Sequence, residues 1–202
     1  MSKLEYEGSK NFRGRIVASI LSGKKLRISK IRNDPDVDDI DQAGIGISEF
    51  EASFLRLIEK LSDGVIIDIN ETGTTLRFRP GILIGGRIVH DCGKLRSIGW
   101  FIEGIIPLCP FCKDNVNVEF SGITNDSLDF SVDTLRNVTL PLLWHFGIGG
   151  AELKIKRRGA APNGGGACSF FIPIVRELKP INLVDMGLVK RVRGYLLYLL
   201  YD

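Results

Sequence analysis

Four cations within five positions, Lys154, Lys156, Arg157 and Arg158, lead into Pro162 and three consecutive glycines, Gly164, Gly165 and Gly166, in the stretch KIKRRGAAPNGGGACSF. Glycines let a backbone take positive φ, and successive amides in such a turn can form an anion-binding concavity. The stretch therefore reads as a phosphate cradle with basic residues on one arm. It reads equally as a tight connection between strands at 154–158 and 167–172. A nucleotide-binding phosphate loop is excluded, because Ala167-Cys168 stand where its Lys-Ser/Thr pair would open a helix. Strand alternation sets Lys154, Lys156 and Arg158 on one face, opposite Leu153, Ile155 and Arg157, so the first set is the better placed to meet phosphate. The competing account is a solvated strand face.

Other residue types offer less. CPFC at 109–112 has metal and redox spacing, but the remaining cysteines, Cys92 and Cys168, and the histidines, His90 and His145, supply no matching ligand pair. Two buried thiols at the end of an apolar helix are expected there, with no metal and no cofactor. Asp126, Asp129 and Asp133 lie near a helix start, where carboxylates favour the helix dipole. No constellation for metal-assisted or general acid/base cleavage emerges.

The elements that must position these residues follow from periodicity. The chain has 202 residues, 44% apolar and 25% charged, with a net charge of +3. That is enough for a real core, and the mild basicity permits nucleic acid without requiring it. Acidic residues concentrate at Asp34, Asp36, Asp38, Asp39 and Asp41, a run expected to be a solvated loop. No segment reads as a secretory leader or a membrane span, so an intracellular chain is expected.

Phe12, Ile16, Val17, Ile20 and Leu21 recur at helical spacing, followed by a strand at 25–31. Phe50, Phe54, Leu57, Ile58 and Leu61 mark a second helix, followed by strands VIIDI and TLRFR. The order then returns: a helical stripe from Leu95 to Ile105, the strand VNVEFSG, a helix over about 131–146 kinked at Pro141, and the strands AELKIKR and ACSFFI. IRND at 31–34 answers ITND at 123–126, and TGTTLRF answers NGGGACSF. An internal repeat of roughly 90 residues is a duplicated supersecondary unit. Its first unit covers 1–93 and its second 94–194, and the triple glycine occupies the inter-strand position of Glu71-Thr72-Gly73.

The segments NFRGRIVASILSGK, FEASFLRLIEKLSDG, TGTTLRFRPG, GITND, LPLL with FGI, KRRGAAPNGGG and KRVRG, in this order, resemble the RNA 3′-terminal phosphate cyclase superfamily in its nucleolar, cyclase-like branch. The resemblance covers about residues 5–194. It implies an α/β (α+β) fold of tandem βαβαβ-type repeats similar to the carboxy-terminal domain of translation initiation factor three, helices packed on sheets. The cyclases of that superfamily adenylylate a histidine and close a 2′,3′-cyclic phosphate on RNA. The cyclase-like branch lacks this activity and assists small-subunit ribosome assembly, with pre-ribosomal RNA, a GTPase assembly factor and the small-subunit pre-ribosomal particle as partners.

Arg13 and Arg32 match two phosphate-handling arginines of the cyclases. The glycine run before the first helix is replaced by YEGSKNFR, and the Gln-His position holds Phe50-Glu51. A phenyl ring makes no hydrogen bond and a carboxylate repels phosphate, so the cyclase site reads as eroded. Past KRVRG the family continues into an inserted domain, whereas this chain reads YLLYLLYD at 195–202, as a truncated gene product, splice form or fragment would. The expectation is a non-catalytic RNA and ribonucleoprotein assembly factor for 18S processing in the nucleolus, contacting phosphate through Arg13, Arg32, Lys154, Lys156, Arg157, Arg158 and Gly164–Gly166. The alternatives are an RNA-end-processing enzyme, as a cyclase or pre-rRNA endonuclease, and a protein-binding module whose acidic loop docks a basic surface.

Overall fold

A computed structural model describes residues 3–33 and 44–184, together with 187, 188, 190–192 and 194. The acidic run and the tail at 195–202 lie outside the described residues. The first unit runs β1 (Lys3–Glu7), α1 (Phe12–Ser22), β2 (Lys25–Ser29), α2 (Glu49–Leu61), β3 (Ser62–Asp63), β4 (Ile66–Ile69), β5 (Leu76–Arg79) and β6 (Ile82–Leu83). The second runs β7 (Gly86–Asp91), α3 (Ile98–Ile105), a single turn at Cys109–Phe111, β8 (Val116–Gly122), α4 (Val132–Thr134), α5 (Leu140–His145), β9 (Glu152–Arg157) and β10 (Gly166–Ile172).

Two four-stranded sheets result, ordered β1-β2-β5-β4 and β7-β8-β10-β9. In each, the first two strands are parallel and the others antiparallel, so the two sheets share one topology. A helix carries the chain between the parallel strands, as a crossover of that kind requires. This is the α/β fold of helices on sheets that the sequence implies. Each unit also opens with a strand, β1 or β7, that periodicity does not reveal, and β7 begins at Gly86, ahead of residue 93. The small pair β3-β6 joins the end of one unit to the start of the next.

Alternation along the strands decides which face is covered. Leu26, Ile28, Leu76 and Phe78 turn inward from the first sheet, as do Val116, Val118, Phe120, Cys168, Phe170 and Ile172 from the second. The helices lie on these faces, and one continuous core includes residues of both units. All five apolar residues assigned to the α2 stripe are buried. The helix expected over 131–146 is instead interrupted: Leu135–Thr139 form a π turn between α4 and α5. Pro141 has no N–H to give the ladder, and the wider turn absorbs the gap. Among the described residues, no helix is long and apolar enough to cross a membrane.

α3 approaches α2 and α1 at Gly104. A Cβ there would stand 2.5 Å from Phe54 Cε2 and 2.7 Å from Arg13 Cδ. Nearby, His90 of β7 is 3% exposed, 3.2 Å from Ser53 Oγ of α2, and its ring lies against Phe101 and Phe120. Burial, with Lys60 adding repulsion, lowers the His90 pKa to about 4. A base depressed in the folded state contributes stability above its unfolded value of 6.5 that is lost as pH falls toward 4. Urea unfolding should thus weaken by up to about 3 kcal/mol over that window, and His90→Gln should remove most of the slope. A slope unchanged in the variant would show that His90 is not the group responsible.

Candidate nucleic-acid interface

The two arginines matched to the cyclases are turned inward. Arg32 follows β2 at φ 37°, a left-handed conformation that is uncommon outside glycine and must be held by its surroundings. Its side chain is 4% exposed and makes an ion pair with Glu51. Nε donates to the Gly46 carbonyl at 2.9 Å and Nη2 to Ser48 Oγ at 2.6 Å. Glu51, the third residue of α2, also closes a capping box, accepting from the Ser48 amide at 2.9 Å and hydroxyl at 3.0 Å. Burial pushes its carboxyl upward, opposed by Ser48 and Arg32. One carboxylate therefore both starts α2 and neutralises Arg32. The sequence does signal this, since SEFE at 48–51 is the Ser-x-x-Glu capping pattern.

Arg13 projects from α1 against α3. Its guanidinium donates to the Trp100 carbonyl, lies 3.3 Å from Glu103 and sits 4.9 Å above the Trp100 ring. Desolvation lowers its pKa, with Glu103 opposing. Arg96, unremarked in the sequence, stacks 5.2 Å over Phe50 and 5.4 Å over Trp100 while holding Asp129 through bonds of 2.8 and 2.5 Å. Such cation–π contacts gain strength when desolvated. This cluster joins the units and engages the Arg13 guanidinium from several sides.

The hairpin β9–β10 keeps its cations outside. Lys154 pairs with Glu152 at 2.9 Å and Lys156 with Glu119 at 2.6 Å, both on the open face of the second sheet. Arg158 is fixed by Asp133 at 2.6 and 3.1 Å, which holds that carboxyl below its usual range. Alternation fails at Arg157. Ala167 pairs with Arg157 but Cys168 with Ile155, so Lys156 is an extra residue and the bulge turns Arg157 to solvent, its Nε donating to the Gly165 carbonyl.

The triple glycine makes a hairpin whose amides are partly committed. Gly164 and Gly165 take φ of 69° and 78°, while Gly166 has entered β10 opposite Gly122. The Gly164 amide donates to Ala160 at 2.8 Å, and the turn is held against β8 by Thr124–Gly159 bonds at 2.8 and 2.9 Å. Nor do the acids at 126–133 act mainly on a helix dipole. Asp129 and Asp133 hold arginines, and the cap of α4 is Ser131, accepting from Thr134 at 3.1 Å. At CPFC both cysteines are buried, and desolvation keeps them as thiols, Cys112 at about 11.

Lys154, Lys156, Arg157 and Arg158 thus gather on one hairpin, with Arg13 and Arg32 elsewhere, Arg32 enclosed and Arg13 half-buried. Exposed pairs are worth at most about 1 kcal/mol and exchange readily with an incoming anion, whereas breaking a buried pair costs about 3–5 kcal/mol. Glu51→Ala should accordingly destabilise the chain by about 3–5 kcal/mol in urea unfolding, while Arg32→Met with Glu51→Met recovers much of the loss. A cost below about 1 kcal/mol would show that the pair is dispensable.

Comparison with known proteins agrees with this architecture. The chain matches the family described as RNA 3′-terminal phosphate cyclase over residues 4–200. It is 47% identical over 193 residues to a probable RNA 3′-terminal phosphate cyclase-like protein of Dictyostelium discoideum and, over the same length, to the RNA 3′-terminal phosphate cyclase-like protein of Homo sapiens, covering 95% of this chain and 50% of each relative. An rRNA processing protein of Schizosaccharomyces pombe is 41% identical over 192 residues, 94% of this chain and 51% of that protein. The chain spans about half the length of these curated relatives. Carried by a match over nearly its whole length, the chain belongs to the RNA 3′-terminal phosphate cyclase family.

Proposed function

We propose that this chain is a non-catalytic RNA and ribonucleoprotein assembly factor serving small-subunit, 18S, pre-rRNA processing in the nucleolus. The observation that carries the non-catalytic reading is the Arg32–Glu51 pair. A cyclase needs its arginines open to RNA phosphate, and here the guanidinium is enclosed by Glu51, Ser48 and Gly46. Arg13, bound to Trp100 and Glu103, supports the same conclusion. The processing role rests on the names of the relatives, one of them an rRNA processing protein.

RNA contact falls to Lys154 and Lys156, whose exposed pairs yield to phosphate, with Arg157, Arg158 and the Gly164–Gly166 turn beside them. Pre-ribosomal RNA, the small-subunit pre-ribosomal particle and a GTPase assembly factor are the partners of this reading. The second reading, a protein-binding module, draws on the neutralisation of Lys154, Lys156 and Arg158 by Glu152, Glu119 and Asp133.

Tagged chain should co-sediment with small-subunit precursor particles and photo-crosslink to pre-rRNA, while 3′-phosphorylated RNA incubated with it and ATP should retain an open phosphate. Particle association without any RNA crosslink would transfer the conclusion to the protein-binding module. Formation of 2′,3′-cyclic ends would overturn the non-catalytic assignment.

A further inference from the structure

The open faces of the two equivalent sheets carry different charge. On the second, Arg87, Lys154, Lys156 and Arg157 face Asp91, Glu119 and Glu152, a nearly balanced set. On the first, among the described residues, Lys3, Lys25, Arg27, Lys30, Arg77 and Arg79 face Glu5, Glu7 and Asp68. Pairing sets the cations in rows. Lys3 lies beside Lys25, and since Leu26 pairs with Phe78, Lys25 lies beside Arg79. Adjacent strands stand about 4.8 Å apart, so the backbone positions of these three residues fall within roughly 10 Å. In the next row Arg27 pairs directly with Arg77, with Glu5 beside Arg27 and Asp68 beside Arg77 on the outer strands. Like charges placed opposite one another in a sheet are destabilising.

Some of this charge is answered within the chain: Lys3 by Glu5 at 2.8 Å, Lys30 by Glu7 at 3.0 Å and Arg77 by Asp68 at 3.5 Å. Among the described residues Lys25 and Arg79 have no ion pair, and the buried Nε of Arg27 has no hydrogen-bond partner. Buried donors of that kind are rare and want an acceptor. Beside Arg27 the face holds a cavity of about 260 Å³ lined by Asp68, Asn70, Thr75 and Arg77. Apart from Ile66, the outward positions of this sheet are polar or charged, so the apolar centre usual in protein interfaces is missing.

We infer that the open face of the first sheet, through Lys25, Arg27, Arg77 and Arg79, is a second RNA backbone-binding surface of this protein, reading charge and not base sequence. The inference rests on the RNA-binding reading above and adds a surface to it. Phosphate oxygens supply the negative charge that the Lys3–Lys25–Arg79 row lacks.

The test is fluorescence anisotropy of the 202-residue chain with a labelled single-stranded RNA from about 50 to 300 mM KCl. Each phosphate contact contributes about 0.7 to the slope of log affinity against log salt. Lys25→Gln with Arg79→Gln should lower the slope by about 1.4, and Arg27→Gln by about 0.7, with folding checked by circular dichroism. Lys154→Gln with Lys156→Gln should lower it independently. Loss of slope only in the β9 variant overturns the inference and leaves the RNA reading intact. No RNA binding by the wild-type chain overturns both. Equal affinity for a polyglutamate peptide of matched charge overturns the assignment of RNA as the ligand.

Discussion

Two sheets share one core because α3 has no side chain where it meets α2 and α1. The edge of Phe54 and the aliphatic stem of Arg13 fill the space that any Cβ at residue 104 would claim. From that contact the rest follows. Trp100, one turn earlier on α3, is brought against Phe50 and Phe54 with ring centroids 5.2 and 5.4 Å away, in edge-on geometry. Its carbonyl and ring then receive Arg13, and its ring receives Arg96. An apolar junction thereby immobilises two guanidinium groups, which is why these arginines serve packing.

Much of the fold was legible in the sequence because α2, β2, β5, β8 and β10 each bury one regular face, and a buried face leaves a periodic trace. The strands that escaped are those whose trace is weak. KLEYE at the sheet edge turns little more than Leu4 toward the core, and GRIVHD offers a histidine as one of its two buried residues. Charged side chains were legible in position but not in role. Arg32 and Glu51 are 19 residues apart and Arg13 and Glu103 are 90 apart, so nothing local says that either pair closes on itself. At β9 the alternation was correct until the bulge, which adds a residue and sends Arg157 the other way.

The duplicated sheets show how one topology is put to different uses without a change of backbone. Corresponding hairpins end in TGTTLRF and NGGGACSF, the first tied by the Asn70 side chain to Thr72, Thr74 and the Thr75 amide, the second by glycine conformation and the Thr124–Gly159 clasp. Outward strand positions contribute little to the core and are free to change sign. By register Arg27 stands where the second sheet has Glu119, Asp68 where it has Lys154, and Lys25 and Arg79 where it has Asn117 and Phe171.

The connector between the units is held as firmly as the sheets. Ser62 pairs with Leu83 and Asp63 with Ile82, the amides of Ile84 and Gly85 both donate to Leu61, and Lys113 and Asp114 donate to Leu83 and Ile84. Joints between duplicated modules are ordinarily where evolution adds and removes residues without penalty. Here one inserted residue would either break this lattice of bonds or slip β7 by one position, carrying Ile88 and His90 outward and Arg87 and Val89 into the core. The length of this joint is thus fixed by the same packing as its interior side chains, whereas elsewhere the halves differ in length, 19 residues separating β2 from α2 and 9 separating β8 from α4.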